Sequence, residues 1–186
     1  MRVFLAIVIP DEVKAALDAA VQRLSPAASD VAWCGRGPYH LTLVFLGEIA
    51  PSILPHVTAA IDRVCAATPP FECRAYGFGF FGTKRNPKTL WAGIDPVPEL
   101  ESLYERLWTE LQKYGMKKDD VHFRPHVTLG RCRESTNNRA VIEAMDADED
   151  IAFGAWQVSR VTVYESRPTP RGAQYRALSR SALQGA

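Results

Sequence analysis

What most restricts the fold of this 186-residue chain is that it repeats its own plan at an offset of 86 residues. Laid on itself at that offset, Ala6 meets Ala92, Pro10 meets Pro96 and Leu17 meets Leu103, while His40, Thr42 and Leu43 meet His126, Thr128 and Leu129. Six identities across positions 5 to 43 carry little weight alone. The phase of the hydrophobic pattern carries more, because strand, helix, motif strand, helix and strand recur in that order without a gap. The chain is therefore expected to form one domain, 1–186, of two pseudo-symmetric lobes, with repeat units of roughly 1–85 and 86–180 related by a pseudo-twofold axis. One motif strand from each lobe should face a shared groove.

The periodicities give the elements. Residues 2–9 are apolar on both alternating faces, as a strand covered on both sides should be. A helix follows from Asp11 as its cap, with Val13, Leu17, Ala20, Val21 and Leu24 at helical spacing. The first motif strand is expected at 39–46 and a second helix at 52–67. Strands at 71–81 and 89–95 flank a turn whose Lys84, Arg85 and Lys88 make a basic tip. A third helix is expected at 99–114, the second motif strand from about 123, a short helix at 138–147, one strand over 151–165, a loop over 167–172 and a last strand at 174–178.

In each motif strand, alternation places histidine and threonine on one face and two aliphatic residues on the other. His56 and His122 have no hydroxyl two residues on and read as incidental. His40 with Thr42, and His126 with Thr128, form a pair of imidazole–hydroxyl units on rigid strands. Two imidazoles with ordinary affinities near neutral pH suit in-line displacement at a phosphodiester: one takes the proton of the attacking oxygen, the other protonates the leaving oxygen. The threonine hydroxyls can donate to the non-bridging oxygens as charge gathers there.

Other chemistries lack their residues. A catalytic zinc usually takes three protein ligands, and neither motif has a carboxylate or cysteine on its histidine face. Neither a G-x-S-x-G elbow nor a Walker loop occurs, and no metal and no cofactor is expected. A net charge of +1 argues against a uniformly basic face for long nucleic acid, and any such partner must be met locally. The four cysteines lack C-x-x-C spacing and read as reduced thiols of a cytoplasmic protein. The apolar start, Val3 to Ile9, is too short for a signal peptide or membrane span.

Two blocks, Tyr39-His40-Leu41-Thr42-Leu43-Val44-Phe45-Leu46-Gly47-Glu48 and Phe123-Arg124-Pro125-His126-Val127-Thr128-Leu129-Gly130-Arg131, resemble the signatures of the 2H phosphoesterases. Within that superfamily they look like those of the bacterial RNA 2′,3′-cyclic phosphodiesterases, also called 2′-5′ RNA ligases. Trp33, the hairpin from Phe80 to Gly93, and Val163-Tyr164-Glu165-Ser166-Arg167 followed by Gly172 and Tyr175 extend the resemblance over nearly the whole chain. Where the family commonly has Asn-Leu before the first histidine, this chain has Pro38-Tyr39.

The resemblance implies a bilobal α+β fold, two antiparallel-rich sheets with outer helices around a central concave groove. It further implies hydrolysis of a ribose 2′,3′-cyclic phosphate to a 2′-phosphate without metal or cofactor, and a capacity for reversible 2′-5′ RNA ligation. By analogy His126 is the base and His40 the acid, although the symmetry of the motifs leaves the opposite order open. Arg131 would bind the phosphate, which requires a bulge or strand end at Gly130 to bring it to the histidine face. Phe123 either stacks on a base or caps the core. Lys84, Arg85 and Lys88 with Arg167 and Arg171 either form a basic rim or are scattered surface cations. The implied partners are RNA 3′ ends or nucleoside 2′,3′-cyclic phosphates, met by a monomer away from any membrane. A non-catalytic binder of RNA 3′ ends and a metal-dependent phosphoesterase are the alternatives.

Overall fold

A computed structural model describes residues 1–28, 30–35, 39–118, 122–133, 138–170 and 172–185. Gly37, Pro38 and Arg171 lie outside the described residues. The elements run β1 (Arg2–Val8), α1 (Asp11–Leu24), β2 (Val31–Trp33), β3 (His40–Glu48), α2 (Leu54–Ala66), β4 (Phe71–Thr83), β5 (Asn86–Ile94), α3 (Pro98–Gln112), β6 (His126–Cys132), α4 (Arg139–Asp146), β7 (Ala152–Val158), β8 (Arg160–Thr169) and β9 (Gly172–Ala182). Among the described residues no helix is long and apolar enough to cross a membrane.

Eight strands lie in the order β7-β4-β5-β6-β3-β1-β8-β9, and β2 pairs with the end of β6. Every pairing is antiparallel. The two antiparallel halves, β7-β4-β5-β6 and β3-β1-β8-β9, meet at a narrow seam where the register holds one pair, Leu41 opposite Val127. These residues are themselves 86 apart. The strand order is also mirrored about the seam: β6, β5 and β4 on one side stand where β3, β1 and β8 stand on the other.

Helices cover the sheet through apolar stripes. Val57, Ile61 and Val64 of α2 and Leu100, Leu103, Leu107 and Leu111 of α3 are buried. The two helices pack together, with α2 over β8 and β9 and α3 beside β3. Val13 and Leu17 of α1 are buried against β7, and Val141, Ile142 and Met145 of α4 face the end of α1 and β4.

Several boundaries differ from the sequence expectation for physical reasons. Pro10, not Asp11, caps α1: it is extended, and its carbonyl accepts the first helical bond from the Lys14 N–H. Asp11 and Glu12 instead place negative charge on the first turn, where the helix dipole favours it. The second motif strand begins at His126 because Pro125 has no N–H to give a ladder. The expected strand over 151–165 is two strands: at Ser159 the chain leaves β4, the partner of β7, for β1, the partner of β8. The last strand runs on to Ala182 along β8. The basic tip shrinks to Lys84 and Arg85, since Thr83 and Asn86 are still paired. Strand β2, three residues long, is too short for alternation to mark it.

Candidate active site

Antiparallel partners share a face, so the registers decide which side chains meet. His40 stands opposite Val8, Thr42 opposite Ala6 and Phe45 opposite Phe4. Across the seam, His126 stands opposite Gly93, Thr128 opposite Trp91 and Arg131 opposite Thr89. Both histidine–threonine pairs therefore look away from the helices, into the concave face.

A bulge follows each threonine. Leu5 pairs with Val44 and Ala6 with Thr42, leaving Leu43 as the extra residue. Leu90 pairs with Gly130 and Trp91 with Thr128, leaving Leu129 as the extra residue. Each bulge reverses the alternation beyond it. That brings Arg131 onto the histidine face, one residue earlier than a bulge at Gly130 would have. In the other half the same device turns Phe45 to the groove. Gly130 serves a different need, because a Cβ there would lie 2.6 Å from Val31 Cγ1 and 2.9 Å from the Trp33 ring; glycine lets β2 dock.

Aromatic rings hold the two imidazoles. His40 lies 4.9 Å from the Phe4 ring and edge-on to Tyr175 at 5.1 Å. His126 lies edge-on to Phe81 at 4.9 Å and 5.9 Å from Trp91. The Trp91 indole lies flat over Gly79, where any Cβ would come within 2.0 Å of it. Among the described residues three large apolar side chains stand exposed, Val8 at 40%, Phe45 at 45% and Tyr175 at 38%, and all belong to this face.

The protonation state of His126 is read from its surroundings. Its Nδ1 lies 2.6 Å from the Arg124 carbonyl oxygen. A carbonyl only accepts, so Nδ1 carries the proton and Nε2 is left as a free acceptor. Burial lowers the affinity of the ring for a second proton, the Arg124 carbonyl opposes that, and the nearby Arg131 guanidinium lowers it further. The charge of Arg131 is also felt at Cys34 and at Tyr175.

Beside Thr42 and His126 opens a cavity of about 600 Å³ whose walls include Phe45, Phe81, Trp108 and Phe123. Phe123 gives one face to Tyr104, stacked at 4.1 Å and 7°, and borders this cavity while packing on the core edge. The Trp108 Nε1–H is buried without an acceptor among the described residues. Among the described residues no group of three or more His, Cys, Asp and Glu side chains could hold a metal ion.

The basic tip does not line this groove. Lys84 pairs with Asp146 of α4 at 2.8 Å, and Arg85 borders a separate cavity against α4. Arg167 pairs with Glu165 at 3.0 Å. All four cysteines are unpaired, and burial pushes the thiols of Cys65 and Cys73 up to about 12.

The profile of the 2′-5′ RNA ligase superfamily matches residues 9–169. The chain belongs to this superfamily. A Thermotoga maritima protein named RNA 2′,3′-cyclic phosphodiesterase is 30% identical over 100% of this chain and 97% of its own. One of the same name from Thermus thermophilus is 30% identical over 100% of this chain and 91% of its own. A crystal structure of a Thermus thermophilus protein aligns with a TM-score of 0.86 at 28% identity, covering 100% and 99% of the two chains. E. coli LigT complexed with 3′-AMP aligns with a TM-score of 0.79 at 23% identity over 98% and 97%, a likeness of fold. The α+β architecture with helices outside antiparallel sheet halves is thus that of known superfamily members. Sequence reasoning did not single out Phe4, Phe81 and Trp91 as site residues, because only the register places them against the imidazoles.

Proposed function

We propose that this superfamily member hydrolyses a ribose 2′,3′-cyclic phosphate to the 2′-phosphate, at RNA 3′ ends or on nucleoside cyclic phosphates, by metal-independent acid–base catalysis. The observation that carries the reading is the pair of imidazoles on one concave face, one in each half, with the Nδ1–H of His126 spent on a carbonyl and its Nε2 free. The names of the relatives supply the substrate class.

In this mechanism Nε2 of His126 takes a proton from water as the water oxygen bonds to phosphorus. The bond from phosphorus to the 3′-oxygen breaks, and His40 delivers a proton to that oxygen. The 2′-oxygen keeps the phosphoryl group. Thr42 and Thr128 donate to the non-bridging oxygens, and Arg131 balances the charge that gathers on them. The environment of His126 favours its neutral form, which suits the base, so the acid falls to His40. Run in the same direction with a ribose 5′-hydroxyl in place of water, the same groups join ends through a 2′-5′ linkage: His126 takes the hydroxyl proton, the bond from phosphorus to the 3′-oxygen breaks and His40 protonates that oxygen.

The 600 Å³ cavity suits the terminal base, with Phe123 and Phe45 as its aromatic walls. The mirrored strand order and the paired bulges support a duplication of an ancestral half. Each half supplies one histidine, so a single chain completes the site and acts as a monomer. Unpaired thiols fit action in the cytoplasm. The test is incubation with 2′,3′-cyclic AMP in EDTA: 2′-AMP is expected as sole product, and binding without turnover overturns the enzyme reading.

A further inference from the structure

The groove continues past His40 on the side away from the base cavity. Crossing the sheet, Thr42 pairs with Ala6, Ala6 with Thr162 and Thr162 with Arg180. One step along, His40 pairs with Val8, and the β8 residue that follows on the same face is Arg160. Arg160 and Arg180 therefore share the histidine face, two and three strands from the motif strand. A cavity of about 380 Å³ opens there, bordered by Val8, Pro10, Trp156, Tyr164 and the two arginines.

Two features mark this cavity as a place for a phosphate. Arg160 and Arg180 are exposed and make no ion pair among the described residues, whereas Lys84, Arg63, Arg74, Arg139, Arg167 and Arg176 are all committed to carboxylates. The floor is also correctly spaced: two strand spacings, about 10 Å, separate His40 from Arg160. An arginine side chain reaching back closes that to the step between adjacent phosphates of an extended strand.

We propose that Arg160 and Arg180 form a second phosphate subsite that holds the phosphodiester on the 5′ side of the terminal nucleotide. The proposal rests on the cyclic phosphodiesterase reading: the terminal base enters the aromatic cavity, the cyclic phosphate lies between the histidines and the chain leaves over Val8. A guanidinium pair contacts phosphate without reading sequence, so the subsite selects RNA ends over free cyclic nucleotides regardless of the penultimate base. With Arg131 it supplies positive charge locally, as the near-neutral charge of the chain requires for a nucleic-acid partner.

The experiment compares kcat/KM for adenosine 2′,3′-cyclic phosphate and for the dinucleotide ApA ending in a 2′,3′-cyclic phosphate. The wild type should prefer the dinucleotide. In the Arg160→Gln/Arg180→Gln variant the ratio of the two constants should fall about tenfold. The dependence of log kcat/KM on log salt should also flatten for the dinucleotide by about 0.7, and Arg160→Lys/Arg180→Lys should restore much of both. A ratio that does not change, or an equal loss on both substrates, overturns the subsite. A wild-type protein that turns over neither substrate overturns the functional reading instead, and a dinucleotide preference that survives in the glutamine variant overturns the subsite alone.

Discussion

Replacing Gly79 by alanine tests how the scaffold positions the base. The added Cβ would stand 2.0, 2.3 and 2.4 Å from three carbons of the Trp91 six-membered ring, where ordinary contact needs about 3.5 Å. The indole must then shift by more than about 1 Å, and it cannot sink because the β4 backbone lies beneath it. Its neighbours are Phe81, 5.5 Å away, and His126, 5.9 Å away, so the shift is passed to the imidazole. Overpacking of this kind costs about 1–3 kcal/mol, or a fall in melting temperature of about 2–12 °C for a chain of this size. Displacing a catalytic group by about 1 Å costs on the order of 100-fold in turnover. Thermal melts and hydrolysis of 2′,3′-cyclic AMP measure both losses. Gly79→Ala placed on a Trp91→Ala background should cost nothing further, since the clash has gone. Wild-type turnover in the single variant, or the same loss on both backgrounds, would refute the transmission of strain from Gly79 through Trp91 to His126.

Further outcomes follow from the same geometry. His40→Ala and His126→Ala should each lower kcat about 10²- to 10⁴-fold, and the double variant should fall well short of the product because the pair serves one step; product affinity from isothermal titration should hardly change. Arg131→Ala removes a charge that depresses the proton affinity of His126, so the acidic limb of the kcat/KM profile should move to higher pH while the maximum falls about 10²- to 10³-fold. Folded His126 binds a proton less readily than the unfolded ring, whose value is about 6.5. Its contribution to stability is therefore complete above about pH 6.5 and is lost as pH falls through the lower folded value. Melts of wild type and His126→Gln between pH 8 and 5 should converge at the acid end.

The motif residues were legible because two constraints coincide on them: strand alternation put His and Thr on one face, and the 86-residue offset doubled the pattern. Arg131 needed more, since strict alternation sends it to the opposite face and only the bulge at Leu129 returns it. That bulge is invisible in the amino-acid order, where Leu129 reads as one more apolar strand residue. Phe45 was hidden for the same reason in the other half. Trp91, Phe81 and Phe4 read as ordinary strand aromatics, and their contact with the imidazoles depends on cross-strand register. The basic tip stayed open between a rim and scattered surface cations because its amino-acid order does not show that Asp146 of α4 pairs with Lys84. The break at Ser159 shows in the sequence only as a change of phase, Trp156 and Val158 in one alternation and Val161 and Val163 in the other, where the partners change from β4 to β1.

The place of β1 has a consequence for how the protein is made. It leaves the ribosome long before one of its two partners, β8, which starts at Arg160, 152 residues after Val8. At synthesis rates of about 5–20 residues per second, that wait lasts about 8–30 s. Throughout it a strand whose residues Val3 to Ile7 are almost wholly buried in the finished protein has an open edge, the kind of edge that recruits other chains. The His40 side is completed only when β8 and β9 arrive with Tyr164 and Tyr175, so a nascent chain that stops short of them carries both histidines and half a groove.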